Sequence, residues 1–244
     1  MSGTGGENYI RWKHWDAEKF AQINPGTNFY FDQFFRKIRV LGNKSKVLEI
    51  GFGNGELLGY LRAHDHKVIG VELNTHLVET AINSGYEAFS GLIWDIPELQ
   101  SEKFDLIVAF DVVEHMSLKK LNAFFSWARS HLNKGGNLIL RFPEGGSPFG
   151  LVYQNGDFTH VTSLTQTKIA FLCNQNNMDL LSYRDEFLSS NKLCTYGLIG
   201  KMGLLMLQGY ASLLKSVLLI FLYPLSVDLR LGTNSIAVIA VREI

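Results

Sequence analysis

Leu48-Glu49-Ile50-Gly51-Phe52-Gly53-Asn54-Gly55 is the stretch on which the fold turns. The run KVLEI (46–50) is apolar and partly β-branched and stops at glycine, which is the pattern of a buried strand. GELLGYLRAH (55–64) follows as a helix. Three glycines at alternate positions therefore sit on a strand-to-helix turn. Glycine is needed where a backbone bends sharply and where a ligand must lie against it.

Working outward, the strand–helix alternation repeats. HKVIGVEL (66–73) reads as a second strand, and THLVETAINSG (75–85) as a helix with Thr75 as N-cap and Gly85 beyond its end. YEAFSG (86–91) is a short third strand and FDLIVAF (104–110) a fourth. Ser117 caps a helix whose Leu121, Phe124, Phe125, Ala128 and Leu132 follow helical spacing, and Gly135–Gly136 end it. NLILRF (137–142) is a fifth strand, LLSYRDEF (180–187) a sixth and SIAVIAVREI (235–244) a seventh. Upstream, residues 1–8 read as a Gly-rich tail, YIRWKHWDAEKF (9–20) as a short helix lying on the body, and FYFDQFFRKIRVL (29–41) as a helix packed on the sheet. Short links between alternating strands and helices imply parallel strands with right-handed crossovers. Ligands in such sheets bind beyond the carboxyl ends of the strands. The expected site thus gathers Gly51 to Gly55, Glu72, Gly91 to Ile93, Asp111 and the loop after Phe142.

Composition fits this picture. Hydrophobic residues make up 46% of the 244 and charged residues 19%, enough apolar side chain for a large core and too much for disorder. Twenty-three basic side chains balance 23 acidic ones with no basic block, so no nucleic-acid partner is expected. The two cysteines, Cys173 and Cys194, have no metal-ligand spacing, and no metal site is expected. MSGTGGENYIRWKHW lacks the apolar core of a signal peptide, which with the sparse cysteines points to the cytoplasm.

Glu72 ends the second strand 21 residues after Gly51, where a carboxylate can accept hydrogen bonds from both hydroxyls of a ribose. Nicotinamide-dependent enzymes use a related turn, usually G-x-G-x-x-G. Here the spacing is G-x-G-x-G with Glu49 two residues before it, and no separate catalytic domain follows.

VLEIGFGNG, VIGVEL, FDLIVAFDVVEHM and LNKGGNLILRFPEG, in this order and spacing, resemble the successive motifs of class I S-adenosylmethionine (SAM)-dependent methyltransferases. The resemblance covers roughly residues 46–187 and 235–244. It implies a Rossmann-like α/β fold: a seven-stranded, mostly parallel sheet with helices on both faces and an antiparallel last strand. In this chain an apolar helical insertion precedes that strand. The reading is one domain, 1–244, with an N-terminal helical cap over 1–45. The cofactor implied is SAM, leaving as S-adenosylhomocysteine. Carried over, Glu49, Gly51, Gly53, Gly55 and Glu72 hold it, joined by Leu73, Leu92 and Phe110, and by Asp111 and His115 beside the methionine and the methyl. One position departs from the family pattern. After strand three stands Gly91-Leu92-Ile93 where the family often has Gly-Asp, so the usual acidic contact to the adenine amine is missing. Asp95 either substitutes for that acid or is a loop residue before Ile96-Pro97.

Methyl transfer is an in-line displacement, and alignment supplies much of the rate. A hydroxyl acceptor must also lose a proton. Gly156-Asp157-Phe158-Thr159-His160-Val161 offers the candidates: His160 as base, oriented by Asp157. Two further readings stand beside this one. His115 can be the base instead, or His160 and Asp157 can simply anchor the loop. Ser163 with Gln166 reads as a capping box for the next helix. RFPEGGSPFGL (141–151) reads as a loop lining the acceptor pocket. Arg141 in it either meets an anionic substrate or pairs with a nearby carboxylate.

Residues 188–234 carry two uncharged runs, 202–214 and 216–227, split by Lys215. Together they approach membrane-span length. A single span is rejected, because strand seven follows the segment and must rejoin the sheet. The surviving readings are a cap over the active site, a helix resting in a membrane interface through 198–227, and a homodimer face.

YIRWKHWD, LEIGFGNG, RFPEGGSPFGL and GDFTHVTSLT further resemble a bacterial branch associated with cell-surface polysaccharide synthesis. That resemblance implies O-methylation of a sugar on a surface glycan or its lipid-linked precursor, at the inner membrane face. The alternatives are a methyltransferase for a phenol, quinone or lipid-like small molecule, and a non-catalytic SAM-binding protein.

Overall fold

The computed structural model describes residues 15, 17–38, 40–186, 213 and 233–242. Nearly all of the apolar insertion lies outside them. The expectations of an active-site cap, membrane contact or dimer face at 198–227 concern that segment, as does most of the stretch 9–16. Among the described residues no helix is long and apolar enough to cross a membrane.

After a helix, α1 (Pro25–Ile38), the chain alternates: β1 (Lys46–Ile50), α2 (Glu56–Ala63), β2 (Lys67–Glu72), α3 (Thr75–Asn83), β3 (Glu87–Ser90) and β4 (Phe104–Phe110). It continues as α4 (Leu118–His131), β5 (Leu132–Pro143), α5 (Gly150–Gly156), α6 (Gln166–Gln175), β6 (Met178–Asp185) and β7 (Asn234–Val241). The seven strands form one sheet in the order β3-β2-β1-β4-β5-β7-β6. β1 to β5 run parallel, and β7 is antiparallel to both of its neighbours. This is the Rossmann-like sheet expected from the alternation.

Alternation of side chains along the central strands builds the two layers. Val47, Val68, Leu106 and Val108 face one side and pack with Phe31, Phe34 and Phe35 of α1 and Leu57, Leu58 and Leu61 of α2. Leu48, Ile50, Ile69, Ile107 and Leu138 face the other and pack with Leu121, Phe124 and Phe125 of α4 and Ile169 and Leu172 of α6. Both layers are nearly dry, so the sheet is a rigid base for whatever its carboxyl edge presents.

Several boundaries differ from the sequence reading, each for a local reason. Asn74, not Thr75, caps α3, because its side chain accepts from His76 N at 3.0 Å and leaves Thr75 free to be helical. Thr165, not Ser163, caps α6, accepting from Lys168 N. Ser163 stays in the preceding loop. Ser117 caps α4 as expected. α4 ends at His131 rather than at Gly135–Gly136, because Leu132 has already gone extended (ψ 139°) and pairs with Phe104. α1 begins four residues earlier than expected, at Pro25, with Asn24 Oδ1 accepting from the Gly26 and Thr27 amides. β6 and β7 are likewise shifted against their predicted spans. α5 starts inside the stretch read as a loop over 141–151.

Candidate active site

The strand order reverses between β1 and β4, and a crevice opens beyond the carboxyl ends of strands at such a point. The glycine loop leaves β1 there. Gly51, Gly53 and Gly55 have φ of +73°, +52° and +74°, a region that side chains with a Cβ rarely adopt. Close packing adds a second constraint at Gly51, where a Cβ would lie 2.4 Å from Val112 Cγ2. That contact holds the turn after β4 against the turn after β1. The N-terminal segment lies over the far side of the loop: Trp15 covers Gly53, Phe20 covers Gly55, and Ala21 N donates to Asn54 O at 2.8 Å.

Glu72 ends β2 beside this loop. Its Oε1 accepts from the Leu73 and Asn74 amides at 2.7 and 3.1 Å, and its Oε2 from Gly53 N at 3.3 Å. Burial pushes its carboxyl above the usual carboxylate range, and the three amides oppose that shift. Glu49, on β1 just before the loop, is buried, and its Oε2 has no hydrogen-bond partner among the described residues. Burial first, and the charge of Glu72 second, raise its carboxyl well above the ordinary range.

Of the other residues expected at the cofactor, Leu73 is exposed immediately beside Glu72, and Leu92 opens a 3-10 turn after β3. Gly91 before it has open space where a Cβ would stand. Asp95 is an exposed turn residue. Phe110 turns toward α1, edge-on to Phe34 at 5.2 Å and under the Arg141 guanidinium at 4.7 Å. Asp111 has φ +56°, a left-handed conformation, and is ion-paired with Arg141. Arg141 also reaches Glu186 at 3.3 Å and Tyr30 Oη at 3.2 Å. Of the two roles open to Arg141, the structure has the carboxylate pair. Glu186 and Tyr30, which complete it, went unnoticed in the sequence because they lie 45 and 111 residues away.

The turn after β4 and the loop after α5 meet. The amides of Val161 and Thr162 donate to Glu114 O at 2.9 and 3.0 Å, and Thr162 Oγ1 donates to Met116 O at 2.7 Å. This stitching brings His115 and His160 edge to face, with ring centroids 4.7 Å apart. His160 Nε2 lies 3.7 Å from Asp157 Oδ2 and 3.9 Å from Glu114 Oε1. Asp157 Oδ1 accepts from Thr159 N at 2.9 Å and from Thr159 Oγ1 at 2.5 Å. The sequence reading named His160, Asp157 and His115 but missed Glu114. The signal was an acid adjacent to a histidine just past a strand's carboxyl end.

Two helical layers around a mixed sheet, a glycine turn with its acid on the next strand, and a polar cluster beyond β4 are the parts of a nucleotide-type site. A family model described as a methyltransferase domain matches residues 17–184. The chain belongs to that family and is a SAM-dependent methyltransferase. Its fold is similar to that of a SAM-dependent methyltransferase from Archaeoglobus fulgidus, at 17% identity and TM-score 0.59 over 88% of this chain and 93% of that one. A SAM-dependent methyltransferase from Clostridium acetobutylicum gives 12% and 0.60 over 97% and 100%. Magnesium protoporphyrin IX methyltransferase of Synechocystis, with bound S-adenosylhomocysteine, gives 14% and 0.58 over 98% and 96%. Among curated proteins no sequence matches.

The residues present fit SAM. The glycine turn offers bare backbone, Glu72 sits where a ribose would donate, and the unmatched Glu49 Oε2 is a buried acceptor that the ammonium and sulfonium of such a ligand would help to ionise. Without that ligand Glu49 is a liability. Its folded pKa is raised, so its contribution favours folding below the ordinary carboxylate range and is lost as pH rises through the raised value. Glu49→Gln is expected to raise the melting temperature of the ligand-free protein, by more at pH 8 than at pH 5, and to weaken SAM binding. Equal melting shifts at the two pH values would remove the assigned cause.

Proposed function

We propose that the chain O-methylates a sugar hydroxyl of a bacterial surface glycan or its lipid-linked precursor. The observation that carries this reading is the cluster of Glu114, His115, Asp157 and His160, which gives the acceptor side of the site a polar, carboxylate-lined floor. Sugars match such a floor because their hydroxyls can exchange hydrogen bonds with carboxylates and imidazoles, which an apolar ring cannot do. His160 takes the hydroxyl proton and Asp157 orients it, while SAM held on β1 and β2 presents its methyl. A rim of exposed apolar side chains stands on the same stretch of chain as Asp157 and His160: Phe149, Leu151, Val152 and Tyr153 on or beside α5, then Phe158 and Val161. Such a rim suits the lipid of a lipid-linked acceptor, and an enzyme working in the cytoplasm at the inner membrane face.

The test is transfer of a labelled methyl from SAM to a panel of lipid-linked oligosaccharides, free sugars, phenols and quinones. Label is expected in the glycans and stable to mild base, as an ether is. Label confined to phenols or quinones overturns the sugar reading and leaves a small-molecule methyltransferase. The neighbouring Synechocystis enzyme, named for a porphyrin, illustrates that the fold itself does not choose the acceptor.

A further inference from the structure

α5 is built inside out. Its buried residues are Gly150 and Gln154, one turn apart, while Leu151, Val152 and Tyr153 are exposed, Val152 at 70%. A helix on a water-facing edge normally does the reverse. The turn that follows keeps the alternation. Asp157 and His160 turn their side chains inward, and Phe158 and Val161 stand out, Phe158 at 93% exposure. Through Val161 and Thr162 this loop is stitched to Glu114 and Met116 beyond β4, and Leu118, two residues on, is exposed as well.

Charge singles out the same edge. The chain as a whole is neutral, yet residues 115–178 hold six lysines and arginines against two acids. Both acids, Glu144 and Asp157, are buried. Lys119, Lys120 and Lys168 are exposed, and none of them is ion-paired among the described residues. They stand in the first turns of α4 and α6, which pack side by side, start at the carboxyl edge of the sheet and have no acid in their first turns. The first turn is the positive end of a helix dipole, so cations there weaken the fold slightly. An anionic surface outside the molecule reverses the sign of that effect.

We infer that this edge rests on an anionic lipid bilayer, with Leu118, Val152, Tyr153 and Phe158 entering the interface and Lys119, Lys120 and Lys168 meeting lipid phosphates. A bilayer presents hydrocarbon beneath a layer of phosphates, and so matches apolar side chains and cations mixed on one edge. The inference rests on the reading of an acceptor presented at the inner membrane face, and names the surface and the lipid class. Because Asp157 and His160 alternate with Phe158 and Val161, seating the outer residues brings the polar cluster up against the headgroup layer. That is where the glycan of a lipid-linked acceptor begins.

The whole chain is floated with vesicles of equal parts phosphatidylethanolamine and phosphatidylglycerol, and with vesicles of phosphatidylcholine alone, at low and high salt. Strong binding is expected on the first and weak binding on the second, with the difference reduced by salt. Lys119→Gln, Lys120→Gln and Lys168→Gln combined should weaken binding to the anionic vesicles by about 100-fold, roughly fivefold for each lysine. Phe158→Ser should weaken it by about tenfold or more at either salt concentration, because it removes a large apolar side chain from the interface. Circular dichroism and SAM titration establish that each variant is folded. No vesicle binding by the wild type overturns the proposal, and equal binding to both vesicle types overturns the anionic lipid. Full-strength binding in both variants overturns this edge as the contact. A dimer in vesicle-free buffer that Phe158→Ser dissociates, without vesicle binding, gives the face to a second copy instead. Vesicle binding with methyl label confined to phenols or quinones sinks the sugar reading and leaves the membrane face. Label in glycans without vesicle binding does the opposite.

Discussion

His160→Ala is expected to lower the turnover of methyl transfer by about 10²–10⁴-fold, the range for loss of a group that manages an acceptor proton, with SAM affinity changed by no more than a few-fold. The separation follows from where the two sets of residues sit. The residues expected to hold SAM are on the turn after β1 and the end of β2, whereas His160 is carried by the loop after α5 and packs beside Glu114 and His115. Single-turnover methyl transfer and calorimetric SAM binding on the same preparation would measure the two effects. His115→Ala is the companion variant, since the two rings touch. If His160→Ala turns over normally and His115→Ala does not, the proton chemistry belongs to His115. If neither variant loses rate, the cluster is a structural lock on the loop and the proposed mechanism falls.

Glu72→Ala is expected to weaken both SAM and S-adenosylhomocysteine by about 100-fold or more. Each hydrogen bond to a charged group contributes about 1.5–3 kcal/mol, and a ribose offers two donors to this carboxylate. The substitution also releases the amides of Gly53, Leu73 and Asn74, so the glycine turn loses the anchor that tethers it to β2. Glu72→Gln separates the two contributions, because its amide oxygen can keep part of that tether without the charge. Titration with SAM, S-adenosylhomocysteine and NAD should give micromolar binding for the first two in the wild type and none for the third. Unchanged SAM affinity in Glu72→Ala would remove the ribose role from that residue. Acid should weaken SAM as well: a carboxyl raised by burial protonates at higher pH than an ordinary glutamate, and the protonated form accepts less well.

Much of this protein could be read before any coordinates. The central strands were legible because buried parallel strands are short apolar runs, and KVLEI and FDLIVAF stop where the polar edge begins. The glycine turn was legible because its backbone requirement is written as residue identity. Helix starts were less so. Asn74 and Thr75 are both good caps, as are Ser163 and Thr165, and which side chain turns back onto the helix depends on the loop that delivers the chain. α5 was missed because GLVYQNG has two terminal glycines and no amphipathic period, and its position is held instead by Gly150 packed on Glu144 O, where a Cβ would lie 2.1 Å away.

The sequence by itself determined the fold class and the cofactor, since these depend on local patterns: apolar runs for buried strands, glycine where the backbone must go left-handed, and a carboxylate at the end of the next strand. What only the tertiary structure decided is which polar side chains gather beyond β4. Glu114 and His160 are 46 residues apart, and nothing local states that they face one another. They meet because the amides of Val161 and Thr162 find their acceptor in the backbone of Glu114, which docks one loop on another at the sheet's reversal point. Arg141 was ambiguous for the same reason. Its partners Asp111, Glu186 and Tyr30 come from three other elements. Long-range pairing of polar groups is set by the packing of the layers that carry them, and that packing is a property of the whole chain.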